Sequence, residues 1–150
     1  MWYSYAIVRV VPRVERGEFV NVGVVLFARE QSFLGARIEL AADRALSLAP
    51  DIDLGTVERH LATFKAICEG RPEGGPIAAF AAPERFHWLV APRSTMIQTS
   101  PVHVGRSEHP EQALEDLLTE FVRLRPRQPQ AAKAEVVSSA ASRPAIESAE

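Results

Sequence analysis

Two early stretches are apolar on nearly both sides of an extended chain: residues 2–11 (WYSYAIVRVV) and 19–27 (FVNVGVVLF). Aromatic and β-branched side chains of this kind suit a strand covered on both faces, so both segments are predicted as central strands. Pro12 closes the first. In the second, alternation predicts Val20, Val22, Val24 and Leu26 on one face and Phe19, Asn21, Gly23, Val25 and Phe27 on the other, because successive side chains of a strand point to opposite sides. A third run, 34–40, alternates more cleanly, with Leu34, Ala36, Ile38 and Leu40 inward and Arg37 and Glu39 toward water. That is the signature of a half-buried antiparallel strand. The connections 12–18 and 28–33 have hairpin length.

The period then lengthens. A short helix is expected at 43–49, ended by Pro50, and Asp53 is placed to cap a helix over 54–69 by accepting from free N–H groups of its first turn. Val57, Leu61, Phe64 and Cys68 make the apolar stripe of that helix, and Gly70 and Pro72 stop it, as the helix-end rules require. Residues 70–83, rich in Gly and Pro, read as a loop. Strand signals return at 85–90 (RFHWLV) and 95–104 (TMIQTSPVHV), interrupted by Pro92 and Pro101. A last helix is expected over 110–125, with Pro110 at its first position and a stripe of Leu114, Leu117, Leu118, Phe121 and Val122. Glu111, Glu115 and Asp116 lie toward its start and Arg123 and Arg125 at its end, both sets complementing the helix dipole. From Pro126 on, Ala, Ser, Pro, Gln and Glu dominate without an aromatic residue, a composition that predicts disorder. The pattern therefore predicts one α+β domain over 1–125, a mainly antiparallel sheet of about five strands packed with two main helices, and a disordered tail over 126–150.

Composition narrows the function classes. A formal net charge of −2 over 150 residues lacks the basic excess of nucleic-acid binders. The single cysteine, Cys68, rules out an internal disulfide or a cysteine metal cluster and suits a reducing compartment. Without a secretory signal pattern at the N-terminus or an apolar run of the ~20 residues a membrane helix needs, the expected setting is the cytoplasm. No glycine-rich dinucleotide fingerprint, phosphate-binding loop, zincin motif or nucleophile elbow is present, and such motifs are what announce common catalytic chemistries. No cofactor is implied. Four histidines, His60, His87, His103 and His109, lack ligand spacing on one helix; His87 and His103 could converge only from neighbouring strands. Cys68 on its apolar stripe reads as a small buried hydrophobe.

Two segments carry more polar groups than scaffolding needs. Residues 13–23 place Glu18 and Asn21 at the mouth of an apolar strand, near Arg9 across the expected hairpin. A buried amide such as Asn21 must find partners, and Gly23 in a strand signals a bulge or a close backbone approach. Residues 91–103 gather Arg93, Ser94, Gln98, Thr99, Ser100 and His103, groups suited to phosphate or carboxylate ligands. If the two segments meet, Arg9, Arg93, Ser94 and Gln98 would line an anion-binding pocket. The competing readings are a structural Arg9–Glu18–Asn21 network and turn-forming Ser, Thr and Pro.

The runs Tyr3–Tyr5 and Ile7–Pro12, Glu15–Val24, Phe86–Leu89, Arg93–Thr95 and Gln98–Val102 together resemble a bacterial domain-of-unknown-function family, DUF 3037, over roughly residues 2–125. The resemblance carries no activity, cofactor or catalytic residue onto these positions. It does imply genomic company with HipA-like kinases. The sequence thus points to a non-enzymatic accessory module that partners such a kinase. A small enzyme or sensor for a phosphorylated or anionic small molecule is the alternative, and a nucleic-acid-associated protein ranks last.

Overall fold

A computed structural model describes residues 1–123. Strands β1 (Trp2–Val10), β2 (Val20–Ala28) and β3 (Phe33–Ile38) are followed by helices α1 (Ala42–Leu48), α2 (Leu54–Glu69) and α3 (Ala82–Leu89). Strands β4 (Ile97–Thr99) and β5 (His103–Arg106) and helix α4 (Pro110–Phe121) complete it. All pairings are antiparallel, in the order β3-β2-β1, with β4 and β5 both on the far side of β1. The expected α+β class and five-stranded sheet hold, and the two long apolar strands are central. The expected tail and the last two residues of the 110–125 helix lie outside the described residues.

Each sheet face buries its own core. Val8, Val10, Val22, Val25 and Phe27 pack with Val57, Leu61 and Phe64 of α2 and with Phe86 and Leu89 of α3. Val24, Leu26 and Ala28 pack with Leu114, Leu117 and Leu118 of α4. Asp53 caps α2 as expected, accepting from the Thr56 N–H at 3.2 Å, and Gly70 ends it in the left-handed conformation at φ 70°.

One prediction inside β2 fails. Val22 and Val24 share no face, because the β1–β2 register shifts between Val8 and Arg9. Val22 and Gly23 together oppose Val8, a β-bulge that resets the alternation. Val25 and Phe27 therefore join the α2–α3 face, and Val24 and Leu26 join the α4 face.

The second correction concerns 85–90, which is helical rather than extended. Pro83 sits in the first turn of α3, where a missing N–H is tolerated. Phe86 and Leu89 then fall three apart on one helical face and fill the space over Phe27, 5.4 Å between the ring centroids of Phe27 and Phe86. Packing overrides the strand propensity of an aromatic-rich run. The fifth strand comes instead from splitting 95–104 at Ser100-Pro101, where the pairing with β1 slips by one residue between Val8↔Thr99 and Tyr5↔His103.

Cys68 is fully buried on α2, and burial foremost, with Glu69 adding, pushes its thiol up to about 12. The thiolate is the reactive form, so the native protein should resist iodoacetamide at mildly alkaline pH and react once denatured. Because the folded thiol ionises later than the unfolded one, this group's contribution to stability is intact below about pH 9 and lost as pH rises toward about 12, as linkage requires. Rapid native-state labelling read by mass spectrometry would contradict the placement.

Candidate functional site

The two polar segments meet only in part. Arg9 pairs with Asn21 on one side and Gln98 on the other, and the Asn21 Nδ2 donates to the Phe121 carbonyl at the end of α4, 3.1 Å away. Those groups lie on the α4 face. Arg93 lies on the other: its guanidinium stacks 4.2 Å over the Trp88 ring, donates to the Trp88 carbonyl, and borders a cleft against α2. Of the expected pocket of Arg9, Arg93, Ser94 and Gln98, Arg9 and Gln98 come side by side, and Arg93 does not join them. The two segments reach the same end of the sheet, where Asn21, Arg9 and Gln98 share one face and Arg93 turns to the other.

The remaining expected residues are mostly committed to structure. Glu18 pairs with Arg16 rather than Arg9, so the expected three-residue network does not form. Arg9 instead stacks over Phe19 at 4.0 Å, and burial lowers its pKa from the ordinary arginine value. The Arg9 Nε and Asn21 Oδ1 are buried without a partner among the described residues. The Gln98 amide donates to the Thr95 carbonyl at 2.9 Å and the Thr99 hydroxyl to the Val90 carbonyl at 3.4 Å. Ser100, buried, accepts the Ile7 N–H at 2.8 Å and donates to the Pro101 carbonyl at 2.9 Å. Ser94 is exposed, and His103 lies beside Tyr5, 5.5 Å between ring centroids, on the α4 face. His87 is on α3 and borders the groove on the other sheet face. Among the described residues no group of three His, Cys, Asp or Glu could hold a metal ion.

A hollow of about 630 Å³ lies at the end of α4, between Arg44, Thr119 and Arg123. Its cations are already engaged. Arg44 donates to the Val122 carbonyl, while Arg123 binds Glu39 and Glu115 and holds the Glu39 carboxyl below its ordinary value.

The surface around α3 is different. Trp2, Phe80, Trp88, Val102 and Val104 are exposed apolar side chains, and all five border two grooves that share Pro83 and His87. Trp2 and Val104 stay 60% and 63% accessible. An arginine stacks on each indole, Arg106 at 4.9 Å over Trp2 and Arg93 over Trp88. Arg29 lies on the same rim. The band runs from α3 to β5, which among the described residues pairs only with β1. The two-residue spacing of Val102 and Val104 is the signal that sets them on one side, but reading 85–90 as a strand hid the helix that joins them to Trp88.

The model of the family described as "Protein of unknown function (DUF3037)" matches residues 5–122. No curated protein and no solved structure matches the chain.

Proposed function

As a member of the DUF3037 family, the chain has a role to be read from its own surface, and we propose that it is a non-catalytic accessory module docking a protein partner along α3 and β5. One observation carries the reading: the continuous exposed band from Trp88 to Trp2, with an arginine laid on each tryptophan. A soluble surface rarely leaves apolar side chains contiguous unless something covers them. Tryptophan and arginine are also the residues that dominate binding energy at protein interfaces. Arg29 and Glu84 line the grooves, Arg106 lies beside them on Trp2, and Glu108 near Arg106 is already paired with the N-terminal ammonium, so the surplus is basic and the complementary partner surface is acidic.

The partner we favour is a HipA-like kinase, in the cytoplasm, where the lone thiol of Cys68 stays reduced. Co-expression of the tagged full chain with a HipA-like kinase of the same genome tests this. Trp2→Ala, which removes an exposed side chain and leaves both cores alone, should weaken kinase retention by about thirtyfold, as a hot-spot truncation of ~2 kcal/mol does. Val104→Asp should abolish it. Failure of the unaltered chain to retain the kinase rejects that partner, and retention indifferent to both substitutions rejects the docking surface.

A further inference from the structure

On the far side of Trp88 from the docking band lies a cleft of about 500 Å³ between α2 and residues 93–97. His60, Thr63, Phe64 and Ile67 face it from α2 at positions i, i+3, i+4 and i+7, one side of a helix. Phe64 and Ile67, both buried, form an apolar floor that Met96 and Ile97 extend. Trp88 and Arg93 make the wall.

Arg93 and His60 bring to this cleft donors that no carboxylate accepts. No carboxylate lines the cleft, and no carboxylate pairs with Arg93 among the described residues. Stacking on the indole uses the face of the guanidinium, and the Trp88 carbonyl takes one of its five N–H groups, so the others are left for a ligand. His60 adds a nitrogen donor at the rim. The Thr63 and Thr95 hydroxyls already donate to the Arg59 and Ile97 carbonyls. A planar cation without a counter-charge, set beside an apolar floor, is complementary to an anion that carries an apolar body.

We propose that this cleft binds a small amphipathic carboxylate, with its charged end on Arg93 and a flat aromatic or branched aliphatic body over Phe64, Ile67 and Met96. Trp88 and Arg93 belong to both surfaces, so the two readings are separated at Trp2 and Val104, which border the docking band and not the cleft.

The test uses the full chain carrying Trp2→Phe, so that Trp88 alone reports by fluorescence. Three probes separate the contributions: 2-naphthoate carries charge and body, 2-naphthalenemethanol the body alone, and inorganic phosphate the charge alone. Naphthoate should quench Trp88 and bind about tenfold or more tightly than the alcohol, the scale of a charge-assisted bidentate contact. Phosphate should bind weakly or not at all. Arg93→Gln should bring naphthoate down to the affinity of the alcohol while the alcohol is unaffected. Thr63→Phe, which fills the cleft from an exposed helical position, should exclude both aromatic probes and provides a second variant if Arg93→Gln unfolds. Equal affinity for naphthoate and the alcohol, naphthoate binding indifferent to Arg93→Gln and to Thr63→Phe, phosphate binding as tight as naphthoate, or no naphthoate binding at millimolar concentration would each overturn the proposal.

Discussion

Gly23→Ala is expected to lower the unfolding free energy by about 2 kcal/mol, read as a shift of the urea midpoint at constant slope. A β-carbon at this position would lie 2.5 Å from the Arg37 carbonyl oxygen and 2.6 Å from the Ile38 Cδ1. The isoleucine tip can rotate away. The carbonyl cannot, because it belongs to the β2–β3 ladder in which Gly23 faces Ile38. Overpacking of this kind costs about 1–3 kcal/mol, toward the upper end when backbone is the obstacle. Against it stands a gain of about 0.4–1 kcal/mol, because alanine has less freedom to lose from the unfolded chain. The steric term wins. Gly17 provides the contrast: its left-handed φ of 71° closes the β1–β2 connection, and nothing lies within 4 Å of an added β-carbon. Any loss at Gly17 is therefore conformational, about 1–2 kcal/mol, and should leave the core intact. A Gly23→Ala midpoint equal to that of the unaltered chain would mean that β2 and β3 do not approach at Gly23 as closely as described.

That glycine also marks where the sequence stops being readable. A glycine within an apolar strand announces a bulge or a close approach, and Gly23 takes part in both. What it does not announce is the direction of the slip. Carrying the two-residue period straight through it puts Val24 on the wrong core. Elements held by local rules were legible to the residue: α2 begins after its Asp53 cap, ends at Gly70 and buries Val57, Leu61, Phe64 and Cys68. Those decided by tertiary packing were not. Phe86, Trp88 and Leu89 carry strand propensity, yet the room between Phe27 and α2 is filled by a helix.

The same limit applies to the candidate site. Arg93 was legible as an anion-binding side chain, since a guanidinium beside hydroxyls and an amide signals that chemistry at any position. Its neighbours were not, because whether Arg93 joins Arg9 or His60 depends on which sheet face the 91–97 segment covers. The α2 periodicity that buries Phe64 also places His60 and Thr63 beside it, so half of the cleft was written in the helix and lacked only its opposite wall.

Ser100→Ala should cost about 1–3 kcal/mol, the penalty of leaving a buried donor without an acceptor. The stranded group is the Ile7 N–H, which faces Ser100 at the point where β4 gives way to β5. Ser100 returns a second bond, its own N–H to the Ile7 carbonyl at 2.8 Å, and Pro101 follows at the step in register. The hydroxyl thus stands in for a ladder acceptor at the break, where the central strand β1 would otherwise lose a bond within the apolar interior. Thr99→Val is the matched control: its 3.4 Å contact to Val90 is long and only part-buried, and its loss should cost well under ~1 kcal/mol. If Ser100 were instead a ligand group, its alanine variant would lose naphthoate affinity at unchanged stability. The opposite split is expected, with the melting transition lowered and probe binding at Arg93 intact, because a hydroxyl already shared between Ile7 and Pro101 has no hydrogen left to offer a ligand.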